Sequence, residues 1–199
     1  MTVPNPAGTA SDGLARLNAR RSVPARQLTA PGPDAETLER MLRAAVRVPD
    51  HGKRVPFRFL RIAGDARDAL GAALVARTLQ RNPGASDAEI EKDRQRFSHA
   101  PLVIAVIARL GPDDKIPESE RFSSASCVCF ALLQAAQAAG FGAQWLTGWP
   151  AYDDTILRLL GLDASEKIAG FIHIGTPRMQ APERDRPDAR ALLSDWSGA

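Results

Sequence analysis

PLVIAVIA, residues 101–108, is the stretch on which the fold turns. After Pro101 no polar residue interrupts it, so neither face of the segment can be left to water. It is too short to cross a bilayer, which takes about 20 apolar residues, and its Val and Ile side chains suit a pleated strand. A strand apolar on both faces lies inside a sheet that is covered above and below. The flanking segments must supply that cover.

Upstream, Asp34 is an N-cap candidate ahead of AETLERMLRAAVRV, in which Leu38, Met41, Leu42, Ala45 and Val46 recur at helical spacing until Pro49 ends the run. Downstream, a helix is predicted from Glu118 to Ala139, with Ala125, Val128, Cys129, Leu132, Leu133, Ala136 and Ala139 in period and Gly140 as its stop. Small residues on nearly every side predict that this helix is buried and closely packed. Further helices are expected over 11–21, 65–80, 86–97 and 153–160, and strands over 57–63, 142–147 and 168–174. Residues 23–33 and 111–117 read as loops. Helices and strands do not alternate in a βαβ rhythm, so an α+β sheet with helices on both faces is expected.

With 199 residues the chain is of one-domain size. Residues 1–10, rich in Pro, Gly, Asn and Thr, are expected to be a disordered tail, leaving a single domain over 11–199. A content of 44% hydrophobic and 25% charged residues is that of a globular protein. No membrane span or secretory leader is visible, and a cytoplasmic location is expected. The pI near 9.2 raises nucleic acid as a partner. Acids and bases alternate instead of forming blocks, however, and the net charge is only +3, which favours a phosphorylated small molecule and no nucleic acid. Cys127 and Cys129 fall on nearly opposite sides of one helix, and His51, His99 and His173 are scattered, so neither a disulfide nor a metal site is expected.

Three clusters could carry chemistry. Arg20, Arg21 and Ser22 end the first helix, where two guanidiniums and a hydroxyl can fork onto a phosphate; a solvated helix end reads as well from this triplet alone. Arg47 and His51 flank Pro49 in RVPDHGKRVPF, and either could donate to an anion or a ring carbonyl, while surface ion pairs around Asp50 are the plainer alternative. In GFGAQWLTG, residues 140–148, two glycines allow close approach of backbone, and Trp145 gives an apolar plane beside Leu146 and Thr147. A core tryptophan would look the same. No GxSxG, P-loop, complete GxGxxG or HExxH is present, so the chemistry is expected to be a cofactor's.

Taken in order, RRS, VPDHGKRVPF, QAAGFGAQWLTG and IAGFIHIGTP resemble the FMN-dependent nitroreductase family, over about residues 14–196. The resemblance implies a three-layer sandwich with a mostly antiparallel central sheet, and an intertwined homodimer holding FMN at its interface. It assigns Arg20, Arg21 and Ser22 to the flavin's phosphate and ribityl end, and Arg47 and His51 to the flavin from the loop. Trp145, Leu146 and Thr147 would line the ring system, and 135–140 would lie near the nicotinamide nucleotide. The implied activity is NAD(P)H-dependent, ping-pong hydride transfer to nitroaromatic, quinone or similar oxidised acceptors. No catalytic residue is assigned. The C-terminal segment, about 176–199, would extend over the partner subunit, giving the apolar residues of ARALLSDW something to pack on. Many members read Pro-Ser-x-x-Asn-x-Gln-Pro-Trp where this chain has Asp50, Lys53, Val55 and Phe57 at the named positions. Lys53 and Arg54 are then the groups available to replace the missing amides. Two other functions fit the sequence: an FMN-dependent oxidase or dehydrogenase of a biosynthetic intermediate, and a non-enzymatic basic nucleotide-binding protein.

Overall fold

A computed structural model describes residues 10–198. In chain order the elements are α1 (Ala10–Ala19), β1 (Leu28–Thr29), α2 (Ala35–Ala45), β2 (Phe57–Ala63), α3 (Asp65–Arg81), α4 (Asp87–Gln95), β3 (Leu102–Arg109), α5 (Glu118–Ala138), β4 (Gly142–Leu146), α6 (Asp154–Leu159) and β5 (Glu166–Pro177). The disorder expected of residues 1–10 falls outside the described residues, apart from Ala10, which opens α1.

β3 occupies the middle, as its composition demands. Every residue from Leu102 to Ala108 is buried. Leu102, Ile104, Val106 and Ala108 point into one core with α2 and α5. Val103, Ala105 and Ile107 point the other way, into a second core with Leu70 and Leu74 of α3 and Ile156 of α6. Burying each Val or Ile contributes about 1.5–3 kcal/mol, and the alternation lets one strand serve both layers. The result is the three-layer α+β sandwich expected.

β3 pairs with β2 and β5, and β5 pairs in turn with β4 and, at its C-terminal end, with β1. Every ladder is antiparallel. The β3–β5 register breaks once: Val106 faces Gly170 and Ile107 faces Ile168, leaving Ala169 as the extra residue of a bulge.

α2 starts where Asp34 accepts the amide of Thr37 at 2.8 Å, and it buries Leu38, Met41 and Ala45. α5 buries Arg121, Ser124, Ala125, Val128, Cys129, Leu132, Leu133 and Ala136, one continuous stripe. Its other side is open, with Cys127 exposed and Phe130 43% exposed. The helix is therefore sandwiched on one side only within a single chain, less than its small residues suggested. Two other expectations shift. The segment 23–33 contains the short β1, whose Leu28 is buried against Val23, Ala100 and Ala181, and β5 is longer than 168–174 at both ends. In the tail, Leu192, Leu193 and Trp196 are exposed. Among the described residues no helix is long and apolar enough to cross a membrane.

Candidate functional site

The loop between α2 and β2 is built by its own polar residues. Asp50 accepts the amides of Arg54 at 3.0 Å and Val55 at 2.8 Å, closing the chain on itself. Lys53 and Val55 are held with φ of 52° and 48°, a left-handed backbone that a β-branched residue rarely adopts. Such conformations persist only where the surroundings fix them. Here α5 and the segment before it do so: Ser124 donates to the carbonyl of Pro49 at 2.9 Å, His51 Nδ1 meets Glu120 Oε2 at 2.6 Å, and Arg54 Nε donates to Asp113 Oδ2 at 2.6 Å. Arg54, then the amides of Ile116 and Lys115, hold the Asp113 carboxyl well below the usual carboxylate range. Arg47, His51 and Lys53 are exposed on this rim.

Arg20, Arg21 and Ser22 lie at the other end of α5. The amide of Arg21 donates to Gln137 Oε1 at 3.3 Å, that of Val23 to the Ala143 carbonyl at 3.0 Å, and that of Ala25 to Gln144 Oε1 at 2.6 Å. The segment is thereby strapped along α5 and β4, beside a cleft of about 250 Å³ lined by Arg21, Gln137, Phe141 and Met179. Arg20 Nη1 reaches Ser22 Oγ at 3.2 Å. Its guanidinium is held below its ordinary value by partial burial first, and then by the positive charges of Arg186, Arg184 and Arg21. Glu183 pairs with both Arg21 and Arg186. Among the described residues no carboxylate pairs with Arg20, so this cluster carries more cations than anions and suits a phosphate.

Trp145 sits between these two ends. On β4, opposite Ile172, its indole Nε1–H donates to the carbonyl of Ala169 at 3.1 Å, taking up the carbonyl of the bulge residue. The ring lies over Gly170, where a Cβ would run into it. Trp145 is thus packed against the sheet, with Leu146 and Thr147 half-buried beyond it.

The structure therefore brings Arg20, Arg21 and Ser22 together, and separately Arg47 and His51. It does not join the two groups within one chain. Glu120 and Gln137 mark their places on α5, and seventeen residues at 1.5 Å each put these about 25 Å apart. Sequence reasoning missed Glu120 and Ser124, whose partners His51 and Pro49 are remote along the chain, and no spacing in the sequence singles out Arg184 and Arg186 among the C-terminal arginines. In the fold both arginines come near enough for their charges to act on Arg20.

An antiparallel sheet sandwiched by helices, with a cationic helix-end cluster and a pinned polar loop, makes this an α+β protein with a divided polar site. The nitroreductase family model matches residues 17–176, and the chain belongs to that family. It is 36% identical over 170 residues to the Escherichia coli K12 protein named "Putative NAD(P)H nitroreductase YdjA", covering 85% of this chain and 91% of that one. The fold is shared with a Bacillus cereus nitroreductase-like family protein, with a TM-score of 0.77, 21% identity and full coverage of both chains. A Desulfovibrio desulfuricans "putative nitroreductase in complex with fmn" superposes with a TM-score of 0.72 at 25% identity, covering 97% of this chain and 98% of that one.

Proposed function

We propose that this chain is an FMN-dependent NAD(P)H oxidoreductase that works as a homodimer, with each flavin held by residues of both copies. The observation that carries the reading is the division of the site between the two ends of α5, farther apart than one flavin mononucleotide reaches. Two copies that cross through the open sides of their α5 helices in antiparallel fashion would set the His51 end of one beside the Arg20 end of the other. The surface available for this is apolar: Phe130 on α5, and Leu14 and Leu17 of α1, which are 65% and 50% exposed. A groove of about 700 Å³ between α1 and α5, lined by Leu17, Ala131, Ala135 and Ala138, offers a seat for a second chain. The exposed Leu192, Leu193 and Trp196 of the tail supply an apolar segment to cover it.

The residues present fit the cofactor. Arg20, with Arg21, Ser22, Arg184 and Arg186 around it, would take the phosphate and so neutralise the surplus positive charge. Arg47, His51 and Lys53 of the second copy would face the ring, where a cation stabilises negative charge. Trp145, Leu146 and Thr147 would wall the ring system, and Ala135 to Gly140 the nicotinamide side. Bound there, FMN would supply the chemistry itself, hydride transfer from NAD(P)H to a nitroaromatic, quinone or similar acceptor that would use the same slot. The protein's part is to orient both substrates over one ring and exclude competing geometries.

The test uses purified full-length protein. It should be dimeric by analytical ultracentrifugation and yellow, release FMN on denaturation, and bleach when NADH or NADPH is added without air. A colourless monomer that takes up no added FMN refutes the reading, and a yellow protein indifferent to both nicotinamides points to the substrate-driven oxidase instead.

A further inference from the structure

We propose that Glu120 is a positioning residue which fixes the orientation and tautomer of His51, so that Nε2 is the ring atom offered to a bound flavin or acceptor. The inference rests on the functional reading above, but its geometry stands apart from it. Glu120 is in the first turn of α5, and Ser124, one turn further on, holds the carbonyl of Pro49. One stretch of one helix therefore sets both the backbone ahead of His51 and the ring itself. His51 Nδ1 lies 2.6 Å from Glu120 Oε2. An ionised carboxylate only accepts, so Nδ1 carries the hydrogen of this bond. Nε2 is then left as an acceptor in the neutral ring and a donor in the imidazolium.

Three neighbouring acids are already committed. Asp50 accepts the amides of Arg54 and Val55, Asp113 takes Arg54, and Glu118 pairs with Lys167. Glu120 is the acid that meets His51. The two side chains are 64% and 49% exposed, and an ion pair so open to water adds little to folding. What the contact does determine is where the ring points. His51 opens a single 3₁₀ turn, His51–Lys53, that the positive φ of Gly52 breaks at once, and Lys53 and Val55 also have positive φ, so no continuous helix or strand aims its side chain.

The experiment compares the FMN-loaded protein with its Glu120→Ala, Glu120→Gln and His51→Ala variants and the Glu120→Ala/His51→Ala double variant, using 1,4-benzoquinone as acceptor. Glu120→Ala should lower kcat/KM about tenfold, the size of one lost charge-assisted hydrogen bond, with FMN affinity and Tm unchanged. Glu120→Gln should restore most of it, since an amide oxygen accepts the same bond. The double variant should be no worse than His51→Ala, because the glutamate acts through the ring. Additive losses, or an unaffected Glu120→Ala, would overturn the proposal. A second readout does not depend on flavin. In alkaline buffer, ¹⁵N–¹H correlation spectra of the three imidazoles should show His51 as the Nδ1–H tautomer, shifting to Nε2–H in Glu120→Ala. A wild-type ring already in the Nε2–H form defeats the proposal, whereas the expected spectrum in a protein that binds no FMN defeats only the flavin reading.

Discussion

On the side of the sheet covered by α3, α4 and α6, charges are answered within the chain. The buried Asp93 receives Thr78 Oγ1–H at 2.6 Å, Arg96 Nη2–H at 2.9 Å and the Trp149 indole at 3.1 Å. Asp153, nearby, takes the Arg77 guanidinium at 3.0 Å and caps α6. Around α5 on the opposite side, Arg20 has no carboxylate and one ring nitrogen of His51 no partner among the described residues, and Phe130 and Leu14 face outward. The contrast separates two uses of polar residues. Where a network closes on itself it stabilises the chain; where it is left open it awaits something from outside.

Asp93→Ala should break that contrast most severely. It leaves Arg96 partly buried without its partner, a loss of about 3–5 kcal/mol when a buried pair is cut. Urea denaturation should register the whole effect, and FMN affinity measured under native conditions should not change.

Acidification attacks the same face through His173. The ring is 1% exposed and stacked on Phe97 at 5.7 Å, and its Nδ1 has no hydrogen-bond partner among the described residues. Burial, then the charges of His99 and Arg96, push it down to about 4. An unfolded chain takes up this proton near pH 6.5, before the folded one does. The contribution to stability is therefore complete above about pH 6.5, declines as pH falls, and is fully lost below about 4, a total of about 3 kcal/mol. His173→Leu should flatten stability against pH across that window; an unchanged slope would show that the ring is not the group responsible.

Arg20→Ala is the converse and the smallest. It should weaken FMN binding about 10- to 150-fold, from a charge-assisted contact worth about 1.5–3 kcal/mol, with Tm of the flavin-free protein unaltered. Equal flavin occupancy in wild type and variant would remove Arg20 from the site.

The layers were legible in the sequence because hydrophobic period carries them. PLVIAVIA announced a strand with two covered faces, and the stripe from Leu38 to Ala45 announced a helix with one. β1 escaped because two residues between prolines make no pattern, and its pairing with Thr176 and Pro177 depends on a segment far along the chain. The candidate site was legible only in part. Arg20, Arg21 and Ser22 stand out as adjacent letters, but Glu120 is a helix-surface acid like many others until folding sets it against His51. Trp145 was ambiguous for a related reason. Its indole bond to Ala169 requires a bulge, and the bulge is a property of how β3 and β5 align rather than of either sequence read alone.

The place of β5 in the order of synthesis has a bearing on how this chain matures. Among the described residues, β4 and β1 find their ladders only on β5, and β3 has β2 alone until β5 arrives. While a ribosome is still adding residues before Glu166, the nascent polypeptide can hold no more of the sheet than the β2–β3 hairpin, with the apolar side chains of PLVIAVIA only half shielded. Closure of the sheet thus waits on β5, and until it pairs, the open edge of that stretch is the part of the chain most prone to aggregate.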